Sequence, residues 1–296
     1  VYKRQGNTSA AKIVMSGNIY KTGGAVTLTT TGGTDASDIE IDFTKGAAVF
    51  IATSGDNVSL VGGDVSLADG SHLTIDTNIA DSGETNGGNI SIAGGIDGSA
   101  DENLTLDAHS TGTGTITLAK VGAGEQTGIT ASEINTLTLT AGGGITLGGN
   151  ITTSDANDTP GVDINGDVTL SASVTITTDS GGTDGTIDIS GDIDGTSGSD
   201  QNLIIDSGTA NVTIGSGTGT QVIGSTVAKA LNKIEINKTD GAGAETGTIT
   251  IDDIGTSSTY GAGTSGTTTD AVYIGNAHTT AAVSYTHLTL PTSFLV

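Results

Sequence analysis

Acidic side chains are the residues of this sequence whose spacing could support chemistry, because they recur in small groups within polar, glycine-rich segments. The groups are Asp35/Asp38, Asp97/Asp101/Glu102, Asp155/Asp158, Asp192/Asp194 and Asp252/Asp253. Carboxylates and carbonyl oxygens gathered in a turn are the ligands that Ca²⁺ prefers. The tandem Gly-Gly-x-Gly-x-Asp repeat of calcium β-rolls does not occur, however, and the similar segments 32–35 and 181–184 lack its spacing. We therefore interpret these acids as turn-forming and solubilising residues, with calcium binding as the alternative.

Paired carboxylates could also cleave glycosidic bonds, since most glycosidases use two acids that flank the bond. Such sites usually add basic or imidazole groups and aromatic rings that stack on sugars. Outside its ends the sequence has no arginine, and its histidines and aromatics are His72, His109, His278, Tyr20, Phe43, Phe50, Tyr260 and Tyr273. No Ser-His-Asp arrangement, phosphate-binding loop, His-Glu-x-x-His motif or redox cysteine pair occurs. The sequence predicts no enzyme activity and no catalytic, cofactor-binding or metal-binding residue, with a polysaccharide-active β-helix as the alternative.

The elements that must position these side chains are short apolar-polar-apolar triplets. The stretch 149–206 contains clear examples, with Val162-Asp163-Ile164 and Val168-Thr169-Leu170 separated by Gly, Ser, Thr, Asp and Asn. This alternation is typical of a strand with one buried face, bounded by turns. A strand this short needs neighbours on both edges, and a coiling chain supplies them by stacking each triplet on the one below. The pattern predicts an all-β fold, a β-solenoid.

Similar triplets extend from Val26-Thr27-Leu28 to Val272-Tyr273-Ile274, and Thr or Ser is the commonest middle residue. The gaps between triplets predict coils of about 20–30 residues and a rod roughly 50–65 Å long, at the strand spacing of stacked sheets. Aromatic residues are only 3% of the chain, as expected for a narrow core filled by Val, Ile and Leu. Because the middle residues point away from that core, we expect hydroxyls and carboxylates outside.

Composition limits the partners of the chain. Its 296 residues carry a formal net charge of -24, which repels phosphate backbones and argues against nucleic acid as a partner. The chain has no Cys, which fits an extracellular bacterial protein. No apolar run is long enough to span a membrane, so we expect no membrane insertion.

A longer repeat is also present, at an offset of about one hundred residues. The segment 63–67 (GDVSL) returns as 166–170 (GDVTL), 94–98 (GGIDG) returns as 191–195 (GDIDG), and 103–107 (NLTLD) returns as 202–206 (NLIID). We interpret this as the duplication of several coils whose loops then changed in length. Such duplication suggests that length itself is being built.

Both ends of the sequence differ from the rest. Residues 1–5 (VYKRQ) can be encoded by DNA whose reverse complement, read in another frame, encodes Val283-Ser284-Tyr285-Thr286. One DNA element in opposite orientations would explain both peptides, which resemble translated sequencing adapter. We therefore expect 1–5 and 283–296 to be foreign, 6–282 to be a single continuous solenoid, and the chain to be an internal fragment of a longer protein.

One segment departs from the triplet pattern. Residues 221–238 (QVIGSTVAKALNKIEINK) hold several of the few lysines and could form one or two helical turns starting at Ser225-Thr226. We predict a loop or short helix on the surface, with a functional basic patch as the alternative.

The strand repeats resemble those of very large bacterial surface proteins, the filamentous-haemagglutinin-like and autotransporter-passenger adhesins. The segments that carry the resemblance are 114–118 (GTITL), 149–153 (GNITT), 166–170 (GDVTL) and 201–206 (QNLIID). The resemblance implies a right-handed parallel β-helix, secreted by a Gram-negative bacterium and acting as a stalk or adhesive fibre. It implies partners such as host or neighbouring-cell surfaces, glycans or matrix. A calcium-stabilised surface-layer element is a further alternative.

Overall fold

The computed structural model describes residues 11–30, 39–44, 46–79, 86–98, 101–122, 133–154, 160–178, 184–196, 200–216, 220–237, 247–256, 261–263, 271–275 and 283–285. Every structural statement below concerns these residues. They form short β-strands joined by turns, with one 3-10 turn at Val227–Lys229 and no α-helix among them.

The strands are numbered in chain order. The first nine are β1 (Ala11–Met15), β2 (Ile19–Thr22), β3 (Val26–Thr29), β4 (Ile39–Phe43), β5 (Val49–Thr53), β6 (Val58–Val61), β7 (Asp64–Leu67), β8 (Leu73–Asp76) and β9 (Ile90–Asp97). The next nine are β10 (Asn103–Asp107), β11 (Ile116–Val121), β12 (Thr136–Thr140), β13 (Ile145–Leu147), β14 (Ile151–Thr152), β15 (Pro160–Asn165), β16 (Val168–Leu170), β17 (Val174–Thr177) and β18 (Thr186–Ile189). The last nine are β19 (Ile193–Gly195), β20 (Asn202–Asp206), β21 (Val212–Ile214), β22 (Val222–Ile223), β23 (Lys233–Ile236), β24 (Ile249–Ile251), β25 (Asp253–Ile254), β26 (Val272–Ile274) and β27 (Val283–Tyr285).

The strands stack in parallel into three ladders, which form the faces of the solenoid. Face 1 contains β1, β4, β7, the ends of β9 and β11, β14, β17, β20, β23 and β26. Face 2 contains β2, β5, β8, β10, β12, β15, β18, β21, β24 and β27. Face 3 contains β3, β6, the starts of β9 and β11, β13, β16, β19, β22 and β25. Successive strands visit the faces in turn, so the predicted all-β parallel β-helix is confirmed.

The length of one coil varies along the chain. Val49 pairs with Leu73, 24 residues further on, whereas Val212 pairs with Ile249, 37 residues further on. The longest coils therefore exceed the predicted length, although the pairing of Val212–Ile214 with Ile249–Ile251 keeps its register. Within the described residues, face 2 has ten strands, which spans roughly 45 Å at the usual spacing of about 4.8 Å between strands.

The core consists of aliphatic side chains that repeat at the same register positions in each coil. Leu137 and Leu139 on β12 are both fully buried. Leu137 lies between Leu104 on β10 and Val162 on β15, and Leu139 occupies the equivalent place one step along the same strands. Each such side chain contributes about 1.5–3 kcal/mol through removal from water. Phe43 is the one aromatic residue in the described core. The aliphatic core therefore follows directly from the triplet pattern.

Polar side chains connect consecutive coils at the turns. At the turn before face 3, the Oδ1 atom of Asn57 accepts a hydrogen bond from the backbone N–H of Asn89 at 2.8 Å, and Asn89 Oδ1 accepts one from Thr115 at 3.0 Å. In the equivalent turns of later coils, Asp167 Oδ1 accepts a hydrogen bond from the backbone N–H of Asp192 at 3.1 Å. These bonds satisfy backbone donors that leave the ladder at the turn, so many Asn and Asp residues have a structural role.

The long sequence repeat does not return to the same face. Val65 lies on face 1 but its counterpart Val168 lies on face 3, and Leu104 lies on face 2 but its counterpart Leu203 lies on face 1. The offset of about one hundred residues between repeats therefore does not correspond to a whole number of coils. A segment can move between faces because each face requires the same alternation of apolar and polar side chains.

The turns of the repeat are kept even though the faces differ. Asn103 Oδ1 accepts a hydrogen bond from the side-chain amide of Asn135 at 3.0 Å, and Asn202 Oδ1 accepts one from that of Asn232 at 2.7 Å. The repeated unit is therefore a strand with its preceding turn.

Several strands were not predicted from the sequence. Four of them, β2, β19, β22 and β25, contain a single inward aliphatic residue each: Ile19, Ile193, Ile223 and Ile254. One apolar residue gives no alternation to detect, and pairing with the coils above and below determines these strands. Strand β1, which precedes the first triplet of the sequence pattern, pairs in parallel with β4.

The ladder of face 2 extends beyond the predicted end of the solenoid at residue 282. Val283–Tyr285 pairs in parallel with Ile249–Ile251. The triplet Val283-Ser284-Tyr285 has the same alternation as the other strands, so it can pair with an open sheet edge whatever its origin. The foreign origin of 1–5 and 283–296 stays a prediction.

The lysine-containing segment forms two short strands around the 3-10 turn at Val227–Lys229, which starts after Thr226 as predicted but has no side-chain cap. Lys229 forms an ion pair with Asp194 at 2.8 Å, and Lys233 forms one with Glu235 at 2.6 Å. Both cations are thus neutralised locally, which disfavours the alternative of a functional basic patch.

Candidate functional site

The outward side chains of the faces form columns that run along the solenoid. On face 3 the column is uncharged over six coils and then becomes acidic: Thr27, Ser59, Ser91, Thr117, Thr146, Thr169 and Asp194. On face 2 the column is Phe50, Thr74, Thr105, Thr138, Asp163, Asp188, Thr213 and Thr250. These columns confirm that the middle residues of the triplets point away from the core.

Asp163 and Asp188 form one acidic pair on face 2. They are direct register partners in neighbouring strands, which places their Cα atoms about 4.8 Å apart. Burial raises the pKa of Asp163 above its usual value, and the Asp188 carboxylate adds to the rise. The side-chain amide of Asn165 opposes it by donating to Asp163 Oδ1 at 3.0 Å. Asp163 therefore destabilises the folded chain when it is ionised.

Replacing Asp163 with asparagine is expected to stabilise the protein by about 0.5 kcal/mol at pH 7, the scale of a like-charged cross-strand pair. The raised folded-state pKa means that wild-type stability is higher below the ordinary Asp pKa and falls as pH rises through the folded value. The advantage of Asp163→Asn should therefore vanish in acid. Urea midpoints at several pH values test this, with Asp69→Asn, an exposed turn acid, as the control. An equal gain at all pH values would contradict the charge explanation.

A second acidic pair, Asp76 and Asp107, lies beside a histidine at the end of face 2. The two aspartates are register partners, and Asp107 Oδ1 accepts the backbone N–H of His109 at 2.8 Å. Burial raises the pKa of Asp76, the N–H of Asn78 opposes this, and Asp107 raises the pKa further while His109 lowers it. His109 has a φ of 71°, a conformation that its counterpart Gly208 adopts with φ 55°. This turn joins two carboxylates and an imidazole that were not grouped by sequence.

Both acids of the predicted group Asp192/Asp194 bind neighbouring groups of the fold. Asp194 accepts hydrogen bonds from the backbone N–H of Ser225 at 2.7 Å and from its hydroxyl at 2.9 Å, and it pairs with Lys229. Asp192 Oδ1 accepts the Val222 N–H at 2.8 Å. Burial raises the pKa of Asp192, and the hydrogen bond with Asp194 raises the pKa of Lys229. These contacts hold the 3-10 turn against face 3.

The group Asp97/Asp101/Glu102 separates in the structure. Asp97 ends β9 and is buried, Asp101 is exposed, and Glu102 is fully buried in the turn before β10. Glu102 Oε1 accepts the N–H of Gly70 at 3.1 Å, and Oε2 accepts the N–H of Asp101 at 3.2 Å. The Glu102 carboxylate thus links two turns of consecutive coils, which is a structural role.

The remaining acidic groups are either structural or outside the described residues. Asp252 is buried, and its Oδ2 accepts the N–H of Ser216 at 3.1 Å, while the Asp253 N–H donates to the carbonyl of Gln221 at 3.1 Å. The groups Asp35/Asp38 and Asp155/Asp158 lie outside the described residues.

The histidines do not meet in one site. His72 precedes β8, where its Nδ1 accepts the N–H of Asn103 at 3.0 Å, whereas His109 follows β10 at the other end of the face. His278 lies outside the described residues. Over the part of the chain that the structure describes, no group of three or more His, Cys, Asp or Glu could hold a metal ion.

The sequence did not predict that two aromatic residues on face 2 would contact each other. The rings of Tyr20 and Phe50 stack with centroids 5.9 Å apart and an interplanar angle of 24°. Phe50 is the middle residue of its triplet, a position that Thr or Asp fills in the following coils. Tyr20 comes from the coil before, about thirty residues earlier. Coil-length spacing between an aromatic and an aromatic middle residue is the signal that could have revealed the pair.

Comparisons with known proteins identified no similar protein. No protein-family model matches the chain, and no curated protein and no solved structure is significantly similar to it. In the described ranges, the structure contains no helix long and apolar enough to cross a membrane.

Proposed function

We propose that this chain is a structural or adhesive rod segment of a large secreted bacterial surface protein and that it carries no catalysis itself. The observation that supports this is the continuous aliphatic core, in which buried triplets repeat from coil to coil while the outward columns remain hydroxyl-rich and acidic. Such a solenoid gains length and lateral surface with each coil. Its acidity keeps an edge-rich β protein soluble.

The proposed partners are cell-surface or matrix components, including glycans, outside a Gram-negative cell. This part of the proposal comes from the resemblance of the strand repeats to adhesin repeats. The net charge of -24 also favours partners that are not polyanions.

Bead retention tests the adhesive role. Beads coated with the folded chain should remain on epithelial cells or extracted bacterial matrix under flow, because the outward columns exist only in the folded state. The matched control is the same chain coated after thermal unfolding, which has the same composition and charge. Equal retention by folded and unfolded chain, or none by either, would overturn the adhesive role.

Glycan cleavage is the second candidate, and the Asp163–Asp188 pair is the observation that favours it. A carboxyl with a raised pKa beside a second carboxylate is the arrangement of an acid and a nucleophile, which stand about 5–5.5 Å apart in retaining glycosidases. Incubating the chain with neutral and acidic polysaccharides and measuring new reducing ends tests this. Turnover abolished by both Asp163→Asn and Asp188→Asn would replace the non-catalytic proposal.

The calcium alternative has a separate test. If Ca²⁺ stabilised the chain, its unfolding temperature would rise with added calcium and fall with chelator, since a ligand bound only to the folded state adds stability. We expect no change, because in the group Asp192/Asp194 the first carboxylate accepts a backbone hydrogen bond and the second pairs with Lys229, so both already have partners. A calcium-dependent rise of several degrees would contradict this.

A further inference from the structure

The aromatic pair of face 2 is held in a defined geometry at the surface. Tyr20 is 56% exposed although it is a large side chain. The side-chain amide of Asn18 donates to the Tyr20 hydroxyl at 3.0 Å, and Asn18 Oδ1 accepts the Phe50 N–H at 3.1 Å. One exposed asparagine therefore ties both aromatic residues together. The pair places two aromatic rings, one exposed and one partly exposed, on a face whose other outward residues in the column are polar.

The same face continues from the rings as a straight row of hydroxyls. Thr74 follows Phe50 in register, and Thr105 and Thr138 follow Thr74 in the next two coils. All three threonines are partly exposed. They repeat at about 4.8 Å, the spacing of paired strands, so they form evenly spaced donors and acceptors on a rigid support. An extended polymer with a short, regular repeat fits such a row better than a compact ligand.

The chemistry of these groups matches a sugar chain. A pyranose ring has an apolar C–H surface, which can stack on an aromatic ring, and a rim of hydroxyls that exchange hydrogen bonds with threonine and asparagine. The acidic partners of the row, Asp76 and Asp107, and the net charge of -24 repel anionic glycans. Charge complementarity therefore favours a neutral glycan.

We propose that the glycan strip, defined as Asn18, Tyr20, Phe50, Thr74, Thr105 and Thr138, binds an extended neutral glycan chain. One sugar stacks on the Tyr20–Phe50 pair, and the following sugars run along the threonines. The inference rests on the proposed adhesive function and specifies the chemistry of the partner and the surface that binds it.

Titration calorimetry with cellohexaose and mannohexaose tests the strip, with a polygalacturonate oligomer as the anionic probe. We expect the wild-type chain to bind at least one neutral hexasaccharide and not the anionic one. The double variant Tyr20→Ala/Phe50→Ala should weaken binding at least tenfold. Tyr273→Ala, which removes a tyrosine from face 1, is the matched control and should bind as the wild type does.

A fold check and a milder variant keep the result interpretable. The unfolding midpoint of each variant is compared with the wild type, and Tyr20→Ala alone replaces the double variant if that variant is unstable. No binding of either neutral glycan, or unchanged binding after loss of Tyr20, would overturn the glycan strip. If folded-chain beads are still retained on cells in that case, the adhesive function stands without the strip. Absence of both glycan binding and retention would overturn both.

Discussion

Replacing Gly191 with alanine is expected to destabilise the protein by about 3 kcal/mol, at the upper end of the usual cost of overpacking. An added Cβ would overlap the carbonyl group of Gly166 in the coil below and lie 2.6 Å from the Asp167 amide nitrogen. These are backbone atoms, so no side-chain rotation can relieve the overlap and one coil must move. Parallel pairing of Val168 with Ile193 follows directly after this turn and would be disturbed.

Urea unfolding followed by far-ultraviolet circular dichroism measures this effect. The matched control is Gly17→Ala in the turn between β1 and β2, where an added Cβ has no neighbouring atom within 4 Å. That variant should be neutral or gain up to about 1 kcal/mol, because alanine restricts the unfolded chain. Equal midpoints for Gly191→Ala and the wild type would show that the stacked turns are looser than the structure indicates.

Truncating Glu102 to alanine is expected to cost about 3 kcal/mol. The change leaves the part-buried N–H groups of Gly70 and Asp101 without their carboxylate acceptor and opens a cavity where the fully buried Glu102 side chain packs. A fully buried unsatisfied donor costs about 1–3 kcal/mol, so two part-buried donors together with the cavity account for the expected loss.

Glu102→Gln is the informative control. Gln201 occupies the matching turn of the sequence repeat. Its backbone carbonyl accepts the Asn232 N–H at 2.7 Å, as the backbone carbonyl of Glu102 accepts the Asn135 N–H at the same distance. The amide keeps the shape and one acceptor and removes a buried charge, so we expect less than half of the loss caused by alanine. A loss as large as that of Glu102→Ala would mean that the charge itself is required at this turn.

Much of the fold could be predicted because the alternation within each triplet is enough to predict a strand with one buried face. In Val162-Asp163-Ile164 and Ile187-Asp188-Ile189 the alternation predicts two buried aliphatic side chains and an outward acid, and in the structure the aliphatic side chains are buried and the acids are half-buried on the outer side. Short strands such as Val222–Ile223 could not be predicted, since the pairing of Ile223 with Ile193 and Ile254 supplies what their own residues lack. The faces of the sequence repeat were unpredictable for a related reason: turn lengths decide which face follows.

The candidate sites were less predictable than the fold. Spacing along the chain grouped Asp97, Asp101 and Glu102, yet burial separates them into an exposed acid and two buried ones. The pair Asp76–Asp107 lies 31 residues apart in sequence and is adjacent only through the register of β8 and β10. Sites that depend on contacts between coils cannot be predicted from the spacing of residues along the chain, because the length of a coil varies.

The sequence by itself determined the alternation of apolar and polar residues, and with it the parallel coiling, the aliphatic core and the acidic, hydroxyl-rich exterior. Local alternation is sufficient for these because every coil meets the same requirement of one buried and one exposed side. The tertiary structure alone decided which outward residues are neighbours, including Tyr20 with Phe50 and Asp163 with Asp188. Those contacts depend on register between coils, which is fixed by the summed length of strands and turns and by the close approach of glycine backbones.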